Sequence, residues 1–239
     1  MRKPDFELGN GDVRLFLGDC LSILPEFPDG CVDAVVTDPP FGVEGGAGHD
    51  AIYRPRPLKY GSDEIDTEEY VKRVCVPMIE ICRKLSPIVV LTPGVRCCWF
   101  YPRPDDMGCF WCPAAARRGP WGFATFSPIL YYGKDFRAGR GSTPTGTTLN
   151  ERAPNNGHPC PKPIAAWTWL VEKATPVGAV VCDPMMGSGT TGVAAIKLGR
   201  KFWGIELEPK YFDIAVKRIK DTYTGGPLLE AAERQAGLF

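Results

Sequence analysis

The sequence predicts an α/β fold, a doubly wound and mostly parallel sheet of the Rossmann-like type, from three observations. Short apolar, β-branched runs alternate with segments of helical periodicity, which is the pattern of strand–helix–strand units. An Asp-Pro pair directly follows two of these runs, 32–37 and 177–182. A glycine-rich segment, Gly187 to Gly192, follows the second pair and opens a predicted helix. Both pairs should therefore lie at the carboxyl edge of the sheet, where open α/β sheets bind ligands.

The individual elements follow from local signals. Aliphatic and β-branched clusters predict strands at 13–17, 32–37, 88–91, 125–132 (with Pro128 as a potential interruption), 177–182 and 201–205. Helical spacing predicts a turn at 20–24, a helix within 63–85, and helices at 163–173, 190–198 and 209–220. Proline begins the helix at 163, and Gly199 ends the helix at 190–198.

Size and composition are those of a globular enzyme-sized chain. The 239 residues fit one large domain. The absence of a long apolar run and of a secretory signal predicts a cytoplasmic protein without a membrane segment. Four of the ten cysteines, Cys97, Cys98, Cys109 and Cys112, lie close in sequence and suggest zinc as an alternative. Adjacent cysteines chelate poorly, so we predict no metal.

Charge is balanced overall but unevenly distributed. Residues 1–95 carry 10 basic and 16 acidic residues, whereas residues 96–162 carry 9 basic and 4 acidic ones. A polyanionic partner would meet the middle segment, although scattered charge on a solvated loop is the alternative. Two stretches, 41–60 and 135–161, lack periodicity, as functional loops often do.

The second Asp-Pro pair begins a predicted nucleoside site. Gly187 to Gly192 matches G-x-G-x-x-G after a strand and before a helix, so the backbone can approach a ligand closely. Glu206 ends the next strand, where a carboxylate accepts hydrogen bonds from ribose hydroxyls. Either a nicotinamide cofactor or a methyl donor would fit. Only 47 residues follow Gly192, too few for a dinucleotide domain, and Asp183 suits a cationic ligand such as S-adenosylmethionine.

The first pair is part of Asp38-Pro39-Pro40-Phe41, which suits a planar amine. Asp38 and the Pro39 carbonyl can each accept one amine hydrogen, and Phe41 offers a face for stacking. A base inside a duplex must be flipped out to reach them. Fixed acceptors and positioning can then supply most of the rate enhancement without a covalent intermediate.

Together these elements resemble the DNA amino-methyltransferases, in the circularly permuted order of the beta group, where the catalytic tetrapeptide precedes the cofactor glycines. Gly18-Asp19-Cys20 and the run from His158 to Pro163 complete the resemblance. Cys160 replaces the usual Thr, Phe41 the commoner Tyr, and Met185-Met186 a frequent Phe. The catalytic residues implied are Asp38, Pro39, Pro40 and Phe41. The cofactor-binding residues implied are Asp19, Cys20, His158, Lys162, Asp183, Pro184, Met185, Gly187, Ser188, Gly189, Thr190, Thr191 and Glu206.

The resemblance also implies a division of the chain. Residues 1–132 form the catalytic half, 133–157 a short inserted target-recognition region, 158–222 the cofactor half and 223–239 a tail. Double-stranded DNA is the implied partner. The candidate DNA contacts are Arg117, Arg118, Arg137, Arg140, Arg152, Asn155 and Asn156. A monomer and a homodimer both fit. The tail 235–239 loosely resembles a sliding-clamp-binding peptide, and docking on its own domain is the alternative.

The expected activity is S-adenosylmethionine-dependent methylation of the exocyclic amine of adenine in DNA, of the kind found in restriction–modification systems. Asp at the head of the tetrapeptide favours adenine, with cytosine as the first alternative. An RNA or protein methyltransferase, a nicotinamide oxidoreductase and a DNA-binding protein without turnover are more remote alternatives.

Overall fold

The computed structural model describes residues 2–42, 67–111, 117–119, 122–124, 126–137, 144–148 and 162–225. Within these residues the chain forms a nine-stranded sheet and a separate two-stranded hairpin. The sheet strands are β1 (Phe6–Leu8), β2 (Val13–Leu17), β3 (Ala34–Thr37), β4 (Val89–Leu91), β5 (Asp106–Trp111), β8 (Phe126–Tyr132), β9 (Thr147–Thr148), β10 (Val180–Asp183) and β11 (Lys201–Glu206). The hairpin consists of β6 (Arg117–Gly119) and β7 (Gly122–Ala124).

The sheet confirms the predicted mostly parallel architecture. Its strand order is β1-β2-β11-β10-β3-β4-β8-β5-β9. The five strands from β2 to β4 are parallel. Antiparallel pairing occurs between β1 and β2 and on both sides of β8. Helices on both faces are therefore expected, because a buried parallel sheet needs cover on each side.

Seven helices accompany the strands in the described residues. They are α1 (Cys20–Ile23), α2 (Glu68–Tyr70), α3 (Val76–Leu85), α4 (Gly94–Cys97), α5 (Ile164–Ala174), α6 (Thr190–Lys197) and α7 (Pro209–Tyr223). A π-helical segment, Val71–Cys75, joins α2 to α3 without a break, and 3-10 turns occupy Leu24–Glu26 and Cys98–Phe100. No helix in this part of the chain is long and apolar enough to span a bilayer.

Two hydrophobic cores cover the two faces of the sheet. Val36 and Val181 point to the core formed with α5, α6 and α7. Val35 and Cys182, each next to one of them in sequence, point to the core formed with α1 and α3. The side chains of a strand alternate between faces, so each central strand contributes to both cores. Burying one such aliphatic side chain is worth about 1.5–3 kcal/mol.

The strand order places the two Asp-Pro pairs side by side. Strands β3 and β10 are neighbours; the chain crosses from β3 to β4 on one side and from β10 to β11 on the other. This is a topological switch point, and a crevice forms there beyond the carboxyl ends of the strands. Asp38 and Asp183 both lie at that edge.

The predicted elements differ from the observed ones in detail. Pro128 does not interrupt β8, because β4 pairs with β8 only from Leu130 to Tyr132, so β8 has a neighbour on one side alone at Pro128. Strands β1, β5, β6, β7 and β9 were not predicted. Helix α7 extends to Tyr223, whose hydroxyl contacts Asp12, so this residue belongs to the folded domain and not to the predicted tail.

Candidate active site

A continuous cavity at the carboxyl edge brings the predicted catalytic and cofactor elements together. Its walls come from the ends of β2, β3, β10 and β11, from the start of α1, from the end of α2 and from the first turns of α5, α6 and α7. The lining residues are Gly18, Asp19, Cys20, Asp38, Pro39, Pro40, Phe41, Tyr70, Lys162, Trp167, Asp183, Pro184, Met185, Met186, Gly187, Ser188, Thr190, Thr191, Glu206, Leu207, Glu208 and Tyr211.

Asp183 is the most deeply buried carboxylate of this cavity, with 2% of its surface exposed. It accepts hydrogen bonds from the hydroxyls of Thr37 (2.7 Å) and Thr191 (2.5 Å) and from the amide of Met185 (3.1 Å). Burial raises the pKa of Asp183 to about 6, while these three donors oppose the rise. The bond from Thr37 joins the end of β3 to the end of β10.

Glu206, at the end of β11, holds the neighbouring loops together. Its two oxygens accept from the amides of Gly187 (2.8 Å) and Glu208 (2.9 Å). Burial raises the pKa of Glu206 to about 7, and the nearby charge of Asp183 adds to the rise. Each carboxylate oxygen has a second lone pair, so Glu206 can still accept hydrogen bonds from a ligand.

The glycine loop between β10 and α6 depends on the absence of side chains. Gly189 precedes α6 in the left-handed region, with φ of 78°, which favours glycine. A Cβ on Gly192 would stand 2.6 Å from Ile219 and 2.7 Å from Phe202. The glycines therefore allow α6 to pack closely against α7 and β11.

Arg218 of α7 fixes this loop from outside the cavity. Its guanidinium donates to the carbonyl of Ser188, to the Ser188 hydroxyl (3.0 Å) and to Thr190 Oγ1 (3.4 Å). Burial lowers the pKa of Arg218, but an arginine stays charged at neutral pH. Sequence reasoning missed Arg218, because about 30 residues separate it from the glycines and no motif contains it.

Asp38 is held by two donors. Thr92, just after β4, donates its hydroxyl to Oδ1, and Lys162 Nζ lies 2.6 Å from Oδ2. The same ammonium lies 4.2 Å from the centre of the Phe41 ring. Gly94 adjoins that ring, since a Cβ there would stand 2.8 Å from Phe41 Cγ. The sequence predicted Lys162 as a cofactor residue, whereas the structure pairs it with the predicted catalytic carboxylate.

The cavity is strongly acidic. Five carboxylates line it, those of Asp19, Asp38, Asp183, Glu206 and Glu208, and Lys162 is the one basic side chain among the described lining residues. Such a site attracts a cationic ligand, because each unpaired carboxylate contributes favourable Coulomb energy in a partly desolvated environment.

The remaining cofactor-element residues near β2 have structural roles as well. The Asp19 carboxylate caps α1, accepting from the Leu21 amide (3.1 Å) and the Ser22 hydroxyl (2.9 Å). Burial, with Asp19 adding to it, raises the pKa of the Cys20 thiol to about 12. Cys20 is therefore a neutral thiol at physiological pH and not a nucleophile.

Apolar lining residues were also missed. They are Tyr70, Trp167, Leu207 and Tyr211. Tyr70 lies within the predicted helical segment 63–85, Tyr211 lies in the first turn of the helix predicted at 209–220, and Leu207 immediately follows Glu206. Proximity to a strand end was therefore a usable signal for Leu207, while the other positions depend on how helices pack across the cavity.

The predicted DNA contacts divide by location. Strand β5 ends at Trp111 opposite Phe126, at the same edge as the cavity, and both side chains are about half exposed. The hairpin carrying Arg117 and Arg118 connects these two positions. Arg137 follows β8 at the opposite edge and pairs with Asp135, so its position gives no support to a DNA contact. Arg140, Arg152, Asn155, Asn156 and His158 lie outside the described residues, as do Cys112 and the tail 226–239.

Comparisons with known proteins agree with this geometry. Residues 140–217 match the N6_N4_Mtase family model, described as DNA methylase. The chain is 27% identical over 221 residues to the putative methylase YubD of Escherichia coli K12, covering 86% of this chain and 89% of YubD. A shorter match, 44% identical over 63 residues, covers 26% of this chain and 24% of the type II methyltransferase M2.DpnII of Streptococcus pneumoniae.

Solved structures show the same fold. The PvuII DNA methyltransferase (cytosine-N4-specific) gives a TM-score of 0.62 at 16% identity, covering 93% of this chain and 94% of that one. The putative DNA modification methylase TTHA0409 of Thermus thermophilus, complexed with S-adenosyl-L-methionine, gives 0.58 at 22% identity, covering 89% and 95%. At such identities the likeness establishes the fold alone. The sequence matches are to proteins described as methylases, and they do not separate N6 from N4 specificity.

Proposed function

We propose that this chain is an S-adenosylmethionine-dependent DNA methyltransferase that methylates the exocyclic amine of adenine in duplex DNA. One observation carries the proposal: Asp38 and Asp183 end adjacent parallel strands and line one cavity. A methyl donor and an amine acceptor must meet within van der Waals distance for direct transfer. Neighbouring strand ends supply that proximity.

The cofactor half of the cavity fits S-adenosylmethionine. When bound, this group supplies an electrophilic methyl on a sulfonium, and its methionine end carries an ammonium. Asp183 and the glycine loop at Ser188 would hold the methionine end, and Glu206 would accept from the ribose hydroxyls. The excess of carboxylates over the single lysine among the described lining residues suits the positive charge of this ligand.

The substrate half fits a flipped base. The Asp38 carboxylate would accept one amine hydrogen and the Pro39 carbonyl the other, which leaves the nitrogen lone pair directed at the methyl. Phe41 would stack on the base, as aromatic side chains do with extruded bases. Thr92 fixes the Asp38 carboxylate from the far side, so the acceptor is oriented before the base arrives.

The hairpin β6–β7 is the proposed DNA-facing element. It connects two strand ends at the cavity edge, and it carries Arg117 and Arg118. Arginines on a hairpin can neutralise phosphates, and the exposed rings of Trp111 and Phe126 can stack on unpaired bases. Arg140, Arg152, Asn155 and Asn156 remain predicted contacts.

Adenine is proposed over cytosine because the tetrapeptide begins with Asp38. Cytosine N4 methylation is the alternative, because one of the structurally similar enzymes is described as cytosine-N4-specific. The beta-group motif order, cytoplasmic location, homodimer and clamp contact of the tail stay predictions.

The test is transfer of radiolabelled methyl from S-adenosylmethionine to unmethylated mixed-sequence duplex DNA, followed by nucleoside mass spectrometry. We expect label in N6-methyladenine, and a loss on the order of 10²-fold or more in Asp38→Ala, the range for removing one positioned polar group. Asp213→Ala, on the exposed face of α7, is the matched control. Label in N4-methylcytosine would establish the alternative. Cofactor binding without any label on DNA would refute a DNA substrate.

A further inference from the structure

Lys162 occupies an unexpected place for a residue at the start of a helix. It precedes Pro163, the N-cap of α5, and its side chain extends into the cavity with 19% of its surface exposed. There it contacts two members of the catalytic tetrapeptide, Asp38 Oδ2 at 2.6 Å and the Phe41 ring at 4.2 Å from its centre. A lysine needed merely for solubility would point to solvent.

The Lys162 ammonium and an exocyclic amine would interact with the same groups of this site. Both present N–H donors to a carboxylate oxygen, and both lie against an aromatic ring. Thr92 donates to Oδ1 of Asp38, so we expect a substrate amine to donate to Oδ2. In this structure Lys162 takes Oδ2. A carboxylate oxygen has a second lone pair, but an ammonium 2.6 Å from Oδ2 and 4.2 Å from the centre of the Phe41 ring takes the space that the base amine would need. The amine and the ammonium therefore compete for one position.

We propose that Lys162 holds the place of the target amine in the DNA-free protein, and that the flipped base enters by displacing it from Asp38 Oδ2. This inference rests on the proposed function. The lysine satisfies a carboxylate that is only 16% exposed, which would otherwise be left partly desolvated and unpaired. The apparent affinity for the base is then reduced by the fraction of molecules in which Lys162 is displaced.

The test compares Lys162→Met with wild type in steady-state methyl transfer to duplex DNA. Met keeps most of the length and removes the charge and donors. We expect KM for DNA to fall about fivefold, the size of competition from one partly buried ion pair, and this change to exceed any change in kcat or in the Kd for S-adenosylmethionine. Lys162→Arg retains competing donors, so its KM should not fall. Lys197→Met, exposed on α6, controls for loss of one positive charge.

Three outcomes would overturn the inference. A fall in kcat at constant KM would place Lys162 in the chemical step. A weakened Kd for S-adenosylmethionine, with KM for DNA unchanged, would make it a ligand of the cofactor. Equal KM values for DNA in wild type and all variants would show that Lys162 does not compete with the target base. Failure of the proposed function is distinct, because it appears as absent transfer to DNA in the wild-type protein.

Discussion

Replacing Asp183 with Asn should stabilise the ligand-free protein while it weakens cofactor binding. The carboxylate is buried, and its pKa rises from 3.8 to about 6. Because the folded-state pKa lies above the unfolded one, this group stabilises the fold at low pH. That stabilisation is lost as the pH rises through about 6. At pH 8 the buried charge therefore opposes folding.

The size of the effect follows from the two pKa values. The difference between 3.8 and about 6 corresponds to roughly 3 kcal/mol at 1.36 kcal/mol per pKa unit. Asn keeps the acceptor that Thr37 and Met185 use, and its amide can donate to Thr191 Oγ1 if that hydroxyl turns to accept. Since a buried amide is itself desolvated, we expect a net gain of about 1–2 kcal/mol at pH 8.

Urea denaturation of wild type and Asp183→Asn at pH 5 and pH 8, without cofactor, measures the difference in their free energies of unfolding. The advantage of the variant should be about 1 kcal/mol larger at pH 8, because the wild-type carboxyl is still largely protonated at pH 5. Asp213→Asn, at an exposed position on α7, should change stability by less than about 0.5 kcal/mol. A variant less stable than wild type at pH 8, or an advantage that does not change with pH, would refute the reasoning.

Three further predictions concern the same wall of the cavity. Cofactor binding should weaken as the pH falls below about 7, because Glu206 then takes up a proton and loses both its negative charge and part of its capacity to accept from the ribose hydroxyls. Calorimetry from pH 5.5 to 8.5 checks this, and a flat profile would contradict it. Arg218→Met should weaken cofactor binding by about tenfold, because the charged hydrogen bonds to Ser188 of the glycine loop are lost. Lys217→Met, at an exposed neighbouring position, should leave cofactor binding unchanged, and fluorescence titration measures both. Gly189→Ala should destabilise the fold by about 1–3 kcal/mol, because alanine is strained at the φ of 78° and its Cβ would stand 3.0 Å from Ala215. A urea midpoint equal to that of wild type would contradict this prediction.

The sequence predicted the site residues that directly follow a strand or lie in a glycine turn. The runs before Asp38 and Asp183 are apolar and β-branched, and an Asp-Pro pair follows each of them, so their position at one edge of the sheet could be predicted. The glycines from Gly187 to Gly192 likewise specify a turn into a helix. These local signals were enough for the mostly parallel sheet and for the pairing of the two elements.

Long-range contacts of side chains were not predictable in the same way. Lys162 meets Asp38 across more than 120 positions, and Thr92 reaches Asp38 because β4 happens to lie beside β3. Strand β1 has only three residues, too few for a periodicity. Each of these features depends on which elements become neighbours in the fold. A single sequence does not specify those neighbours by any local pattern.

The order of strands has a consequence for synthesis. Strands β2 and β3 are separated in the sheet by β10 and β11, which the ribosome produces more than 140 residues after β3. The amino-terminal strands therefore emerge with their facing edges unpaired, and they stay so until the carboxyl-terminal strands insert between them. Unpaired edges invite intermolecular pairing, and late non-local pairing slows folding. A nascent chain of this protein should thus depend on chaperones until Glu206, the last residue of β11, has left the exit tunnel.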